Sequence, residues 1–218
     1  MQEKEIFDLV AEYINKGYSA SEIRKCAITW VDKETLEALW SVPRKNIEVF
    51  IRGCLSSLAL KPPFLDLGCG RRSLKPEILQ KYGEQIVFIG IDHFLPPKKG
   101  NDWGCLPNVI ARAEAIPLRN GSVGTIFCME LLEHVPDEQI VLNEISRVIC
   151  PDGHLLLSLP GLGIPKHEKL PFQRDYRRIS AEQIETLLRA YGFGSIGLDT
   201  RILGGLQTNI FAVAKKEN

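Results

Sequence analysis

Residues 64–70, Phe-Leu-Asp-Leu-Gly-Cys-Gly, set a short apolar run directly before two glycines one residue apart. A run with so little polar alternation reads as a strand buried on both faces, which places it inside a sheet covered by helices on each side. Gly68 and Gly70 then read as a tight turn from that strand into a helix, because glycine tolerates positive φ and lets a ligand approach the backbone. A second run, Val87-Phe88-Ile89-Gly90-Ile91, ends at Asp92. Asp92 therefore stands at the end of the neighbouring strand, beside the glycine turn, where it either accepts hydrogen bonds from ligand hydroxyls or caps the strand end.

The rest of the chain extends this pattern. A helix is expected around 74–82, with strands at Asn108–Ala111, Val123–Met129 and His154–Leu159. Asp137 caps a helix with Val141, Ile145 and Val148 on one stripe, and Pro151-Asp152-Gly153 reads as a turn. Ser180 and Gln183 form a capping box for a helix carrying Ile184, Leu187, Leu188 and Tyr191, closed by Gly192. Two β-rich runs, about 195–202 and 208–214, finish the chain. The segment 94–107 holds three prolines and two glycines, so an irregular loop is expected where such a fold places a helix.

Residues 1–60 read as helices alone. Ile6, Leu9, Val10, Tyr13 and Ile14 share one face of the first, which Gly17 stops. Ser19 and Glu22 open a second, carrying Ile23, Cys26, Ala27 and Trp30. A third follows Asp32 with Leu36, Leu39 and Trp40. A fourth begins near Pro43 and repeats Ile47, Phe50, Ile51, Cys54, Leu55 and Leu58. The expected architecture is α/β: a Rossmann-like, mostly parallel seven-stranded sheet with helices on both faces, over residues 61–218, with residues 1–60 as an N-terminal helical cap.

Lysine plus arginine equal aspartate plus glutamate at 27 each, which argues against a nucleic-acid partner. No apolar run nears the ~18 residues of a membrane span, and the acidic start MQEKEIFDLV does not resemble a signal peptide. The six cysteines form no C-x-x-C pair, so no metal site is expected, and reduced thiols in a cytoplasmic protein are the simplest reading. Nothing in the sequence speaks to the oligomeric state.

Several motifs carry a resemblance. Asp66-Leu67-Gly68-Cys69-Gly70 resembles motif I of the class I S-adenosylmethionine-dependent methyltransferases. The dinucleotide fingerprint of dehydrogenases needs a further glycine where this chain has Ser73. Ala113-Glu114-Ala115-Ile116-Pro117-Leu118 resembles the same methyltransferases' element after strand three. Met129-Glu130-Leu131-Leu132-Glu133-His134-Val135, with the capped helix and Pro151-Asp152-Gly153, is similar to their strand-four to strand-five block. Over about residues 62–160 the likeness is to the ubiquinone and menaquinone biosynthesis methyltransferases.

The resemblance implies S-adenosylmethionine as cofactor and methyl transfer to a small-molecule acceptor. Gly68, Cys69 and Gly70, supported by Asp66, would hold the methionine moiety. Asp92 would take the ribose hydroxyls, with His93 against the adenine. Ala113 and Glu114 would border the adenine, and Met129 would lie beside the reactive methyl. His134 is the best candidate for a general base, and the alternative is a structural histidine bonding a neighbouring loop. The chain departs from the family pattern at Arg71-Arg72, where a third glycine is common, at Arg112, where an acid usually holds the adenine amino group, and at Gly124. Arg72 either binds a carboxylate or is solvated. These departures keep a catalytically silent protein of this fold, serving as a cofactor-binding or partner subunit, as the alternative. The segment from Lys166 to Arg178 is locally basic, and either closes over an anionic substrate or is a solvated loop.

Overall fold

The computed structural model describes residues 5, 8–10, 12, 13, 16, 18, 22, 23, 25, 33–70, 73–94, 107–164, 174–203 and 206–217. The apolar runs form the strands that their composition implies: β1 (Phe64–Leu67), β2 (Phe88–Asp92), β3 (Val109–Ile110), β4 (Val123–Met129), β5 (Ile149–Pro160), β6 (Phe193–Leu203) and β7 (Leu206–Lys216). They join in one seven-stranded sheet of order β3-β2-β1-β4-β5-β7-β6. The pairs β1–β2, β1–β4, β2–β3 and β4–β5 are parallel, and β7 runs antiparallel to β5 and β6. The chain builds outward from β1 to one edge, then returns to β4 on the other side of β1. That reversal opens a crevice at the carboxyl ends of β1 and β4, where ligands bind in open α/β sheets.

Helices cover both faces, and the side-chain period of two along the strands decides which helix meets which residue. Leu65, Leu67, Ile126, Cys128, Leu155 and Leu157 pack with Val141, Leu142, Ile145 and Val148 of α3 (Glu138–Val148) and with Ile184 and Leu188 of α4 (Ala181–Ala190). Phe64, Phe127 and Leu156 face the other way. They meet Ile51, Cys54 and Leu55 of α1 (Lys33–Ser57) and Ile78 of α2 (Lys75–Tyr82). The N-terminal helical segment thus shares its core with the sheet from about Ile47 onward, and Phe50 stacks on Phe211 of β7 with ring centroids 4.4 Å apart.

Two local expectations are corrected. The third and fourth helices are one, α1, with Pro43 inside it. A proline within a helix removes one hydrogen bond and crowds the preceding turn; the apolar stripe buried from Ile47 to Leu55 against the sheet supports the helix across it. Pro151-Asp152-Gly153 is not a turn between elements but part of β5. Val123 pairs with Ile149 and Thr125 with His154, so the residues between loop out as a bulge, with Asp152 at φ 61°. Both caps form as expected: Asp137 accepts from the Gln139 N–H, and Ser180 and Gln183 complete a capping box. The expected helix caps at Gly17 and Ser19, the loop 95–106, Arg71-Arg72 and the basic stretch 165–173 lie outside the described residues.

Gly124 has a packing reason. A Cβ there would lie 2.4 Å from the Lys61 carbonyl oxygen, where the chain crosses β4 before entering β1. Its N–H donates to Pro63 O at 3.0 Å, and the Thr125 hydroxyl donates to Lys61 O at 2.8 Å. This is the amino end of β4. At ~3.3 Å per residue, some five residues separate it from the crevice at the strand's other end.

Candidate functional site

The turn after β1 takes the left-handed backbone that its glycines allow: φ is 76° at Gly68 and 53° at Gly70. The Gly68 and Cys69 N–H groups both donate to Ile91 O, at 2.8 and 3.1 Å, and Gly70 N–H donates to Asp92 Oδ2 at 2.8 Å. The ends of β1 and β2 are therefore tied into one rim. Asp66 stands beneath it, 3 % exposed, accepting from the Leu74 N–H at 2.8 Å. Burial pushes its carboxyl up to about 7, against the lowering effect of that hydrogen bond. Cys69 is buried as well, and burial raises its thiol well out of the reactive range.

A cleft of about 390 Å³ opens over this rim, within the ~300–1,000 Å³ typical of small-molecule sites. Gly68, Asp92, His93, Ala113, Glu114 and His134 all line it, so the structure brings together six of the residues singled out from sequence. Asp66, Cys69, Gly70 and Met129 are not on its wall. Asp66 and the Cys69 side chain are buried, and Met129 packs toward the face covered by α1. Leu131, Val135, Arg174 and Tyr176 also line the cleft. Leu131 is local to Gly68: a Cβ on Gly68 would sit 3.0 Å from its Cδ1.

The charged wall is paired. Asp92 Oδ1 lies 3.1 Å from His93 Nδ1. Arg112, exposed, donates to Glu114 Oε1 at 2.7 Å, and this bond holds the Glu114 carboxyl below its ordinary value. The loop bearing Ala113 and Glu114 is pinned to α3. Glu144 Oε2 accepts from the Ile116 N–H at 2.7 Å, and Arg147 donates to Ile116 O, Leu118 O and Asn120 Oδ1 at 2.8, 2.8 and 2.9 Å.

Opposite lies the turn after β4. Glu130 takes φ 49°, rare for a residue with a side chain, and its carboxylate accepts from the Ser158 hydroxyl at 2.9 Å. Leu132–His134 form a single 3-10 turn that buries Glu133 and leaves His134 partly open to the cleft. Burial, then the nearby Glu130 charge, hold the Glu133 carboxyl well above its usual range. His134 Nδ1 lies 3.0 Å from Asp175 Oδ1 and 3.3 Å from Arg174 O. The bond to a neighbouring loop is thus present, and so is access to the cleft. Among the described residues no group of three His, Cys, Asp or Glu side chains is arranged to hold a metal ion, and no helix is long and apolar enough to cross a membrane.

The residues present fit the cofactor that the motifs imply. A Cβ on Gly70 would meet nothing within 4 Å, and Asp92, 7 % exposed, brings carboxylate oxygens to the cleft beside the glycine turn. A carboxylate offers about four acceptor sites, so its bond to Gly70 leaves capacity for hydroxyl donors.

Known proteins resemble this chain in sequence over part of its length and in fold. Residues 65–157 match the family described as "Methyltransferase domain". The ubiquinone biosynthesis O-methyltransferase of Cupriavidus pinatubonensis is 33% identical over 101 residues, covering 43% of this chain and 39% of that protein. The chain thus spans about two fifths of the length of the curated relatives it matches. A SAM dependent methyltransferase from Archaeoglobus fulgidus has a similar fold, with TM-score 0.60 and 16% identity over 79% of this chain and 94% of that one. So does phosphoethanolamine N-methyltransferase 2 of Haemonchus contortus in complex with S-adenosyl-L-methionine, with TM-score 0.59 and 16% identity over 79% and 53%.

Proposed function

We propose that this chain, whose residues 65–157 match the methyltransferase domain family, binds S-adenosylmethionine in the cleft beside Gly68 and Asp92 and transfers its methyl group to a hydroxyl of a small-molecule acceptor. The observation that carries this reading is the joint rim of β1 and β2, with Gly70 bonded to Asp92 and both strand ends opening on one cleft. The hydroxyl follows the name of the curated relative, an O-methyltransferase.

In this reading Asp92 accepts from the ribose hydroxyls, the Gly68–Gly70 turn faces the methionine moiety, and Ala113 and Glu114 border the adenine. The bound cofactor supplies a methyl group on a sulfonium, already an excellent leaving group. The protein's work is then to align the acceptor and exclude water. A hydroxyl must also lose its proton, and His134, which lines the cleft beyond the end of β4, receives it. The methylated oxygen and a thioether are the products.

α1 reaches the end of the sheet on which the acceptor would sit. Asn46, in α1, donates to Thr208 Oγ1 and Asn209 Oδ1 at 3.2 and 3.0 Å, and Asn209 pairs with Pro160 at the carboxyl end of β5. Asn46 therefore ties the middle of α1 to the end of the sheet where the cleft opens. Removal of residues 1–32, which leaves α1 whole, is expected to depress transfer more than cofactor binding.

The test is turnover. Purified chain, S-adenosylmethionine and a panel of phenols, carboxylates and amines should yield S-adenosylhomocysteine and methylated product in equal amounts with the phenols. Cofactor binding without turnover across the panel would select the silent, partner-subunit reading instead.

A further inference from the structure

We propose that Asp175 is the positioning residue of the site: its carboxylate fixes the ring orientation and tautomer of His134, and Arg178 holds Asp175 in place for that task. The proposal rests on the reading of His134 as the base for the acceptor proton, and it names the residues that make His134 one.

The two residues come from different parts of the chain. His134 ends the 3-10 turn after β4, whereas Asp175 lies in the segment 174–180 that leads into α4. The Tyr176 N–H donates to Glu133 O at 2.8 Å, which docks the second segment on the first. The docking places Asp175 Oδ1 3.0 Å from His134 Nδ1. The Asp175 side chain is fully buried and is not on the cleft wall, while His134 is. Asp175 thus stands behind the imidazole, on the side away from any ligand. Its other oxygen, Oδ2, accepts from Arg178 Nη2 at 2.8 Å, and Arg178 also donates through Nε to Ile164 O at 3.2 Å.

The chemistry follows from the two ring nitrogens. Nδ1 faces acceptors on both counts, Asp175 Oδ1 and Arg174 O, so Nδ1 carries the proton and the lone pair of the neutral ring is on Nε2. When the ring takes a proton at Nε2, the positive charge forms next to the Asp175 carboxylate. Glu133 Oε1 lies 3.7 Å from Nε2, beyond hydrogen-bond distance. Burial and the Glu130 charge keep Glu133 toward its neutral form. Of the two carboxylates flanking the ring, Asp175 is therefore the one that supports a charged imidazole. Such an orienting partner, itself held by a further bond, is what distinguishes a poised base from a surface histidine.

The test reads the ring directly. With ¹⁵N-labelled histidine, the four imidazoles are resolved by NMR and His134 is assigned by its loss in His134→Gln. The expected result is the Nδ1–H tautomer in the unsubstituted chain, with a shift toward Nε2–H in Asp175→Asn, which keeps the side chain's shape. Methyl transfer to catechol should fall at least about tenfold in Asp175→Asn, within the ~10²–10⁴ that a positioned base supplies, with S-adenosylmethionine affinity unchanged within about twofold. Asp175→Glu should recover part of the rate. A predominant Nε2–H tautomer in the unsubstituted chain overturns the proposal without any variant having to fold, and so does an unchanged tautomer in Asp175→Asn. Undiminished transfer to catechol in His134→Gln overturns the base reading on which the proposal rests. A tautomer shift in the same series would then locate the failure in that reading and not in the Asp175–His134 bond.

Discussion

Gly70 and Asp92, 22 residues apart, are joined by one hydrogen bond of 2.8 Å from the glycine N–H to the carboxylate Oδ2. The same aspartate that faces the cleft therefore also shapes the glycine turn, and its two tasks separate by substitution. Asp92→Asn keeps an oxygen for Gly70 and should hold stability close to that of the unsubstituted chain. It loses one of two charged acceptors for a ribose diol, so S-adenosylmethionine affinity should fall about 10- to 100-fold, the equivalent of ~1.5–3 kcal/mol. Asp92→Ala should lose both, with a further ~1–3 kcal/mol of stability from the unpaired Gly70 N–H. Denaturant titration and calorimetry together check this.

Asp66 makes stability depend on pH. Its carboxyl is raised to about 7 in the folded chain, against ~3.9 when unfolded. Between those values the folded state holds the proton that the unfolded state has lost, so this group's contribution falls as pH rises and is at its most unfavourable above about 7. Asp66→Asn retains an oxygen for the Leu74 N–H and carries no charge. Its stability relative to the unsubstituted chain should be higher near about pH 8 than near about pH 5, by an amount on the order of 1–4 kcal/mol. Urea denaturation at both values measures the difference, and contributions common to both chains cancel.

Arg147 holds the loop that carries Ala113 and Glu114, through three acceptors on that loop and a pair of bonds to Glu144. A lysine has one ammonium in place of the planar fork and cannot reach these groups together. Arg147→Lys should cost about 1–2 kcal/mol of stability and speed hydrogen exchange at residues 112–121. Cofactor affinity should weaken a few-fold, since the loop proposed to border the adenine is loosened. Unchanged exchange in that loop would show that its conformation does not depend on α3.

Much of this was legible in the chain itself. Buried parallel strands declare themselves as apolar runs, and Gly68, Gly70 and Asp92 stand at strand ends where a crevice must form, so the position of the rim follows from the sequence. Where the reading stopped, the cause was contact between distant segments. Pro43 carries a helix-start signal, and only the burial of Ile51 and Leu55 against the sheet shows why the helix runs through it. Gly124 looked like a departure at a functional position. It is set by the Lys61 carbonyl crossing over it, a close approach without local signature. Asp175 sits in a short polar stretch with no periodicity, and nothing in the sequence pairs it with His134, 41 positions earlier. Arg147 likewise reads as an ordinary exposed helix residue until the loop it grips is in view.

The central claim is that the Gly68–Asp92 rim binds S-adenosylmethionine, and isothermal titration tests it most directly. Titration of the purified chain with S-adenosylmethionine and with S-adenosylhomocysteine should show one site in the micromolar range for each. In Gly68→Val the site should be lost, because a branched side chain at φ 76° would also strike Leu131. No heat of binding from either ligand in the unsubstituted chain, or equal binding in Gly68→Val, would contradict the account.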